Sequence, residues 1–189
     1  MGNPLRDRRT AAELASVGQV IEIDEKIDSF TDLAKIIETD LAALGADKMP
    51  AGWRERVVRG ELQFGFADTR KSIPTVAGRA TVDTDAVCQR CLQPFRLTLC
   101  IEPRLLLLNG QETAKEFDEF EVWELEERTL RPQDIVEELL IMAMPFSTRH
   151  DNMADCIAFS ADDEHATELK RPFAALGSQM KQHEKDPDQ

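Results

Sequence analysis

Most signatures that would announce a catalytic protein are missing from this chain. No nucleophile elbow, no glycine-rich phosphate loop and no HExxH helix occurs along its 189 residues. Its three histidines, His150, His165 and His183, all lie in the last quarter of the sequence, in what reads as loop and tail. No base is therefore held by a regular element, and a non-enzymatic role without a small-molecule substrate is expected. No stretch approaches the roughly 20 apolar residues of a membrane span. The longest aliphatic run is the four leucines at 105–108, which suits a buried strand. The first ten residues lack the apolar segment of a secretory signal, so the cytoplasm is the expected address. Their alternating charges (Arg6, Asp7, Arg8, Arg9) read as a solvated lead-in. Four cysteines are too few for a disulfide scaffold in a chain of this length. Positive charge is short as well: 36 acids against 23 bases give a formal net charge of −13. That is the wrong sign for a protein living on exposed phosphates. An acidic surface favours basic partners and speeds encounter with them, so any nucleic-acid role is expected to be local or indirect.

What is present fits one soluble domain. Hydrophobic residues make up 42% of the chain, enough to bury a sizeable core. The alternation at 19–23 reads as a short strand. Ser29 is placed as an N-cap, and Phe30, Leu33, Ile36, Ile37, Leu41 and Leu44 recur at helical spacing, predicting a helix over 31–44 that ends at Gly45. From Pro50 the period changes to two. Val58, Leu62, Phe64 and Phe66 mark one strand, and Val76, Gly78, Ala80 and Val82 mark the next. Residues 68–72 form the turn between them. Phe95, Leu97, Leu99 and Ile101 alternate along a third strand, which Pro103 interrupts before the leucine run. Residues 119–125 read as a further strand inside the acid-rich stretch 112–127. Pro132 suits the first position of a helix whose apolar face is Ile135, Val136, Leu139, Leu140 and Ala143, ended by Pro145. Residues 146–165 read as an irregular loop, 173–180 as a short helix, and 183–189 as a charged, disordered tail. The expected fold is α+β: an antiparallel sheet of about five or six strands with two main helices, in a single domain over 1–182.

The chemistry concentrates at one turn. Cys88 and Cys91 are two residues apart at the tip of a hairpin, with one strand arriving and one leaving. Such a pair grips a metal ion or forms a disulfide. Cys156 offers a third thiolate and His150 a fourth ligand, on a polar loop with little apolar content of its own. A structural zinc on Cys88, Cys91, His150 and Cys156 would pin that loop to the hairpin. Cys100, on the departing strand, is an alternative fourth ligand or simply a packed side chain. A redox role needs a thiolate of low pKa at a helix N-terminus, and here strand alternation follows instead. Two free structural cysteines are the remaining possibility.

The run Cys88-Gln89-Arg90-Cys91-Leu92-Gln93-Pro94-Phe95 resembles the signature of the YceD-type large ribosomal RNA subunit accumulation proteins. The following strand, acidic stretch, Pro-ended helix, loop cysteine and Pro172-Phe173-Ala174-Ala175-Leu176 segment fit the same order. The resemblance spans about 60–176, so nothing assigned to the helix at 31–44 is inherited. It implies a factor needed for large-subunit (23S) ribosomal RNA to accumulate, and not an enzyme; the partners expected are that RNA, its precursor or, from the acidic charge, a basic ribosomal protein. Arg90, between the cysteines, is the best single phosphate contact. The stretch 112–127 offers a docking face for a basic ribosomal protein, with Phe117, Phe120 and Trp123 as anchors where exposed. A zinc-stapled adaptor without a ribosomal role is the alternative, and a thiol oxidoreductase is a more distant one.

Overall fold

The computed structural model describes residues 2–45, 47–109 and 117–156, and every described element lies in the unit Met1–Cys156. Its centre is one long strand, β4 (Pro74–Val87), of 14 residues. Val76, Ala80 and Val82 on one side of β4 are buried, as the period-two pattern predicts. The first half of β4 lies between β3 (Val57–Phe66) and β6 (Arg104–Leu108), while its second half pairs with β5 (Pro94–Ile101). Pro103 separates β5 from β6 and lets both share one edge of β4; its carbonyl accepts from the Gly78 N–H. The antiparallel partner β2 (Val20–Lys26) lies outside β3, and β7 (Glu121–Glu124) lies outside β6. The six-stranded sheet therefore runs β2-β3-β4-β6-β7, with β5 alongside β4. Its pairs are antiparallel except β6–β7, which is parallel. The expected α+β class holds, with that one pairing making the sheet mixed. A parallel neighbour needs a longer return path than a tight hairpin.

The two expected helices form as α2 (Thr31–Leu41) and α3 (Pro132–Met142). The apolar face of α2 is buried through Leu33, Ala34, Ile37 and Leu41, and that of α3 through Ile135, Val136 and Leu140. These side chains join Ile21, Ile23, Val58, Leu62, Phe64 and Leu105 in one core. The predicted helix over 31–44 stops at Leu41, and the cap is not Ser29 but Phe30, which has no side-chain acceptor. Glu137 on α3 takes that part: its carboxylate accepts from the Asp32 and Leu33 N–H groups at 2.6 and 3.1 Å. A carboxylate there satisfies orphan donors and complements the helix dipole, so the cap of one helix is also its clamp to the other.

The N-terminus corrects the expectation of a solvated lead-in. Leu5 is 1% exposed. Arg9–Thr10 (β1) pairs with Thr129–Leu130 (β8) in a separate two-stranded sheet. A short helix, α1 (Ala11–Ser16), follows with a reciprocal capping box between Thr10 and Glu13. The charged residues Arg6 and Arg8 stay outside on Glu25 and Glu127, and apolar Leu5 goes inward.

Among the described residues no helix is long and apolar enough to cross a membrane. The expected terminal helix over 173–180 and the tail over 183–189 lie outside the described residues.

Candidate metal centre

β4 and β5 meet at Val87 and Pro94, so Cys88 to Gln93 form the tip of their hairpin. The Cys88 N–H donates to the Gln93 carbonyl at 2.9 Å, and the Leu92 N–H returns to the Cys88 carbonyl at 2.8 Å. Closing the turn this tightly puts Leu92 at φ +55, a left-handed conformation uncommon for a bulky residue. Backbone strain of this kind persists where its surroundings over-determine it. Here the turn brings Cys88 and Cys91 onto one side.

The opposite wall is the loop after α3. Thr148 clips it to the strand end: its hydroxyl donates to the Val87 carbonyl, and its own carbonyl accepts from the Gln89 N–H at 2.9 Å. The Val87 N–H donates to a carboxylate oxygen of Asp40, near the end of α2, at 2.9 Å. The last residue before Cys88 is thus fixed from two sides. A turn of 3-10 helix, Met153–Asp155, then delivers Cys156.

The result is a cluster of Cys88, Cys91, His150 and Cys156 whose ligand atoms all lie within 4.8 Å of one another. Cys88 Sγ is 3.9 Å from Cys156 Sγ, and His150 Nδ1 is 3.6 Å from Cys91 Sγ and 3.5 Å from Cys156 Sγ. The three cysteines are 5% exposed or less, and none is in a disulfide. Phe95 covers the imidazole with ring centroids 4.8 Å apart. Cys100, exposed on β5 opposite Thr81, lies outside the cluster.

Electrostatics set the sulfurs apart. Burial opposes ionisation of Cys88, yet the backbone N–H groups of Cys91, His150 and Arg90, with the Cys91 thiol, outweigh it and bring the Cys88 thiol down to about 5. Burial pushes the Cys156 thiol up, helped by the neighbouring sulfurs of Cys91 and Cys88. One thiolate is therefore favoured, and further ones beside it are resisted. A bound cation removes that resistance, because thiolates are the ligands a soft metal takes. Three buried sulfurs and one imidazole can thus hold a metal ion.

The other predicted contacts are placed less freely. Arg90 is half-buried and directs a guanidinium N–H to Cys156 Sγ at 3.7 Å, so the residue read as a phosphate contact lines the sulfur cluster. Phe117 and Phe120 are half-buried, and Trp123 packs against the main core; none stands out as an exposed anchor. The exposed apolar side chain of that segment is Val122. Residues 112–116 of the acidic stretch lie outside the described residues. Sequence reasoning missed Thr148, Asp40 and Phe95 as positioning groups. Thr148, two residues before His150, is the only one of the three that spacing could have suggested.

Replacing Thr148 by valine removes the hydroxyl clip and keeps the shape. Loss of such an outer partner typically weakens metal binding about 10- to 100-fold. Competition with a chelator is expected to show at least the lower figure while the circular-dichroism spectrum stays native.

The model of one protein family, described as Large ribosomal RNA subunit accumulation protein YceD, matches residues 76–188, which include all four clustered side chains. No curated protein matches the chain, and no solved structure does.

Proposed function

The chain belongs to the YceD family of large ribosomal RNA subunit accumulation proteins, and we propose that within that role it works without catalysis, by holding a basic ribosomal protein for the growing large subunit. The family gives the process: accumulation of large-subunit ribosomal RNA. The observation that favours a protein partner over bare RNA is charge. The net charge is −13, and eight of the fourteen described arginines, Arg6, Arg8, Arg54, Arg56, Arg59, Arg79, Arg96 and Arg131, each pair with an acid. A basic protein carried on such a surface is kept from premature contact with RNA and released when RNA phosphates outcompete the carboxylates. In this reading the chain works in the cytoplasm.

In this reading zinc occupies the cysteine–histidine cluster as a structural staple. A tetrahedral zinc with sulfurs at about 2.3 Å and nitrogen at about 2.0 Å sets its sulfur–sulfur edge near 3.8 Å and its sulfur–nitrogen edge near 3.5 Å. Three of the six separations, at 3.9, 3.6 and 3.5 Å, agree with those edges, and all six lie within 4.8 Å. All four positions are filled by protein, as in a structural rather than a catalytic site. The backbone N–H groups around Cys88 supply the second shell that thiolate ligands need. Zinc would fix the Thr148–Cys156 segment on the hairpin tip; His150 serves as its nitrogen ligand and not as a general base.

The test is capture of partners by the tagged full chain from cell extract treated with nuclease. Recovery of a lysine- and arginine-rich ribosomal protein after RNA removal is expected. Recovery of ribosomal RNA from untreated extract, with no ribosomal protein once nuclease is added, would sink the reading.

A further inference from the structure

β7 is the outermost strand of the six-stranded sheet among the described residues. Its inner edge is defined by its register with β6, Leu106 opposite Val122 and Leu108 opposite Glu124, and by the Leu125 N–H donating to the Leu108 carbonyl at 2.8 Å. Because successive residues of a strand alternate their N–H and C=O between its two edges, Trp123 and Leu125 face β6, whereas the polar backbone groups of Val122 and Glu124 face outward. Residues 122–127 line a groove of about 430 Å³ together with the start of α3, at Asp134, Ile135 and Glu138. Trp123, Leu125 and Leu130 also line it.

The groove combines three properties. Among the described residues it offers strand donors and acceptors with no partner strand, apolar lining, and a one-sided charge. Glu124, Glu126, Glu127, Asp134 and Glu138 line it against Arg8 and Arg131. Both arginines are already paired, Arg8 with Glu127 at 2.6 Å and Arg131 with Asp134 at 3.0 Å. An acidic edge strand can serve only to discourage aggregation. A groove between an edge strand and a helix, however, is the geometry in which extended peptides add as a further strand and bury alternate side chains.

We propose that this groove takes an extended lysine- or arginine-rich segment of the partner protein as an added strand on β7. Backbone hydrogen bonds to Val122 and Glu124 give the register. Alternate side chains of the segment lie on Trp123 and Leu125, and its cationic side chains meet Glu124, Glu126 and Glu138. The proposal rests on the reading that the partner is a basic protein, and it adds the place and the mode of docking.

The probe is a synthetic peptide alternating lysine and valine, with an alternating glutamate–valine peptide as its control. The chain has two tryptophans, Trp53 and Trp123. In a Trp53→Phe background the fluorescence of Trp123 therefore reports on the groove. Saturable binding of the lysine peptide, weakened by salt and absent for the glutamate peptide, is expected. Val122→Pro removes one outward N–H at an edge position that tolerates proline, and is expected to weaken binding about tenfold, as Glu124→Lys with Glu138→Lys also should. Equal binding to the native chain and Val122→Pro, with loss only in the charge-reversed variant, overturns strand addition but leaves a basic partner. Tighter binding of a single-stranded RNA oligonucleotide than of the lysine peptide overturns the groove's assignment to protein. Failure of the lysine peptide to bind, together with capture of a ribosomal protein after nuclease, rejects the groove and not the partner; failure of both rejects the two readings together.

Discussion

Cys88→Ser is expected to strip the protein of stoichiometric metal and to free residues 146–156 from the hairpin tip while the six-stranded sheet stays folded. A serine hydroxyl does not ionise at neutral pH and is a poor ligand for a soft metal. Cys88 is the most damaging position because three backbone N–H groups hold its thiolate in place. Structural zinc is worth roughly 10–16 kcal/mol in finger peptides, which have no other core. Here the main core includes none of the four ligands, so the loss is expected to fall on the cysteine cluster and the loop it ties down. Backbone amides of that loop are expected to exchange at least about 100-fold faster, equivalent to losing about 2.7 kcal/mol of local protection. Metal analysis together with site-resolved hydrogen exchange reads both effects. Stoichiometric metal retained in Cys88→Ser would remove the staple from the account.

A larger effect on the whole fold is expected from Gly60→Val. Gly60 pairs with Ala80 across β3 and β4. A Cβ on it would sit 2.0 Å from the Arg79 carbonyl oxygen and 2.6 Å from the Ala80 Cα. Gly78, opposite Leu62, is equally closed, with 2.1 Å to the Glu61 carbonyl oxygen. These obstacles are backbone atoms of the central strands, which cannot swing aside as a side chain can. Overpacking a core ordinarily costs about 1–3 kcal/mol. A branched side chain driven into strand backbone exceeds that range and approaches total domain stability, roughly 5–15 kcal/mol. Denaturant titration should show Gly60→Val mostly unfolded in buffer. A midpoint within experimental error of the native one would mean that β3 and β4 do not approach as described.

How far these features could be read from sequence depended on how local their causes were. The hairpin tip was legible because period-two alternation on both sides of Cys88–Cys91 forces the cysteines to the turn. The helices were legible through Leu33, Ile37 and Leu41, and through Ile135, Val136 and Leu140, whose spacing repeats within the segment itself. The cap on α2 was not, because its acceptor is Glu137, more than a hundred residues away. The N-terminal strand was missed for the same reason, whereas the helix after it carried a local mark, the Thr10–Glu13 capping box, that was passed over. Arg9–Thr10 is held by Thr129–Leu130, and a two-residue strand leaves no periodic signal. The parallel placement of β7 was hidden because alternation marks a strand without naming its neighbour. At the metal centre the four ligands could be nominated by residue type. Their meeting depends on the Thr148 hydroxyl, the Asp40 carboxylate and the Leu92 turn, and the first two reach Val87 from segments 61 and 47 residues away, which no local pattern marks. Arg90 and Trp123 show the converse. Both were chosen for their chemistry, and both are half-buried, Arg90 directed at Cys156 and Trp123 packed against the core while it lines the groove beside β7.

The central claim, that the chain sustains large-subunit RNA through a carried basic protein, meets its most direct test in cells. The ratio of large- to small-subunit ribosomal RNA is measured in cells lacking the chain and in cells re-supplied with the native protein or with Glu124→Lys and Glu138→Lys combined. The account predicts that the ratio falls without the protein, is restored by the native chain, and stays low with the charge-reversed one at equal abundance. Full restoration by the charge-reversed chain would contradict it.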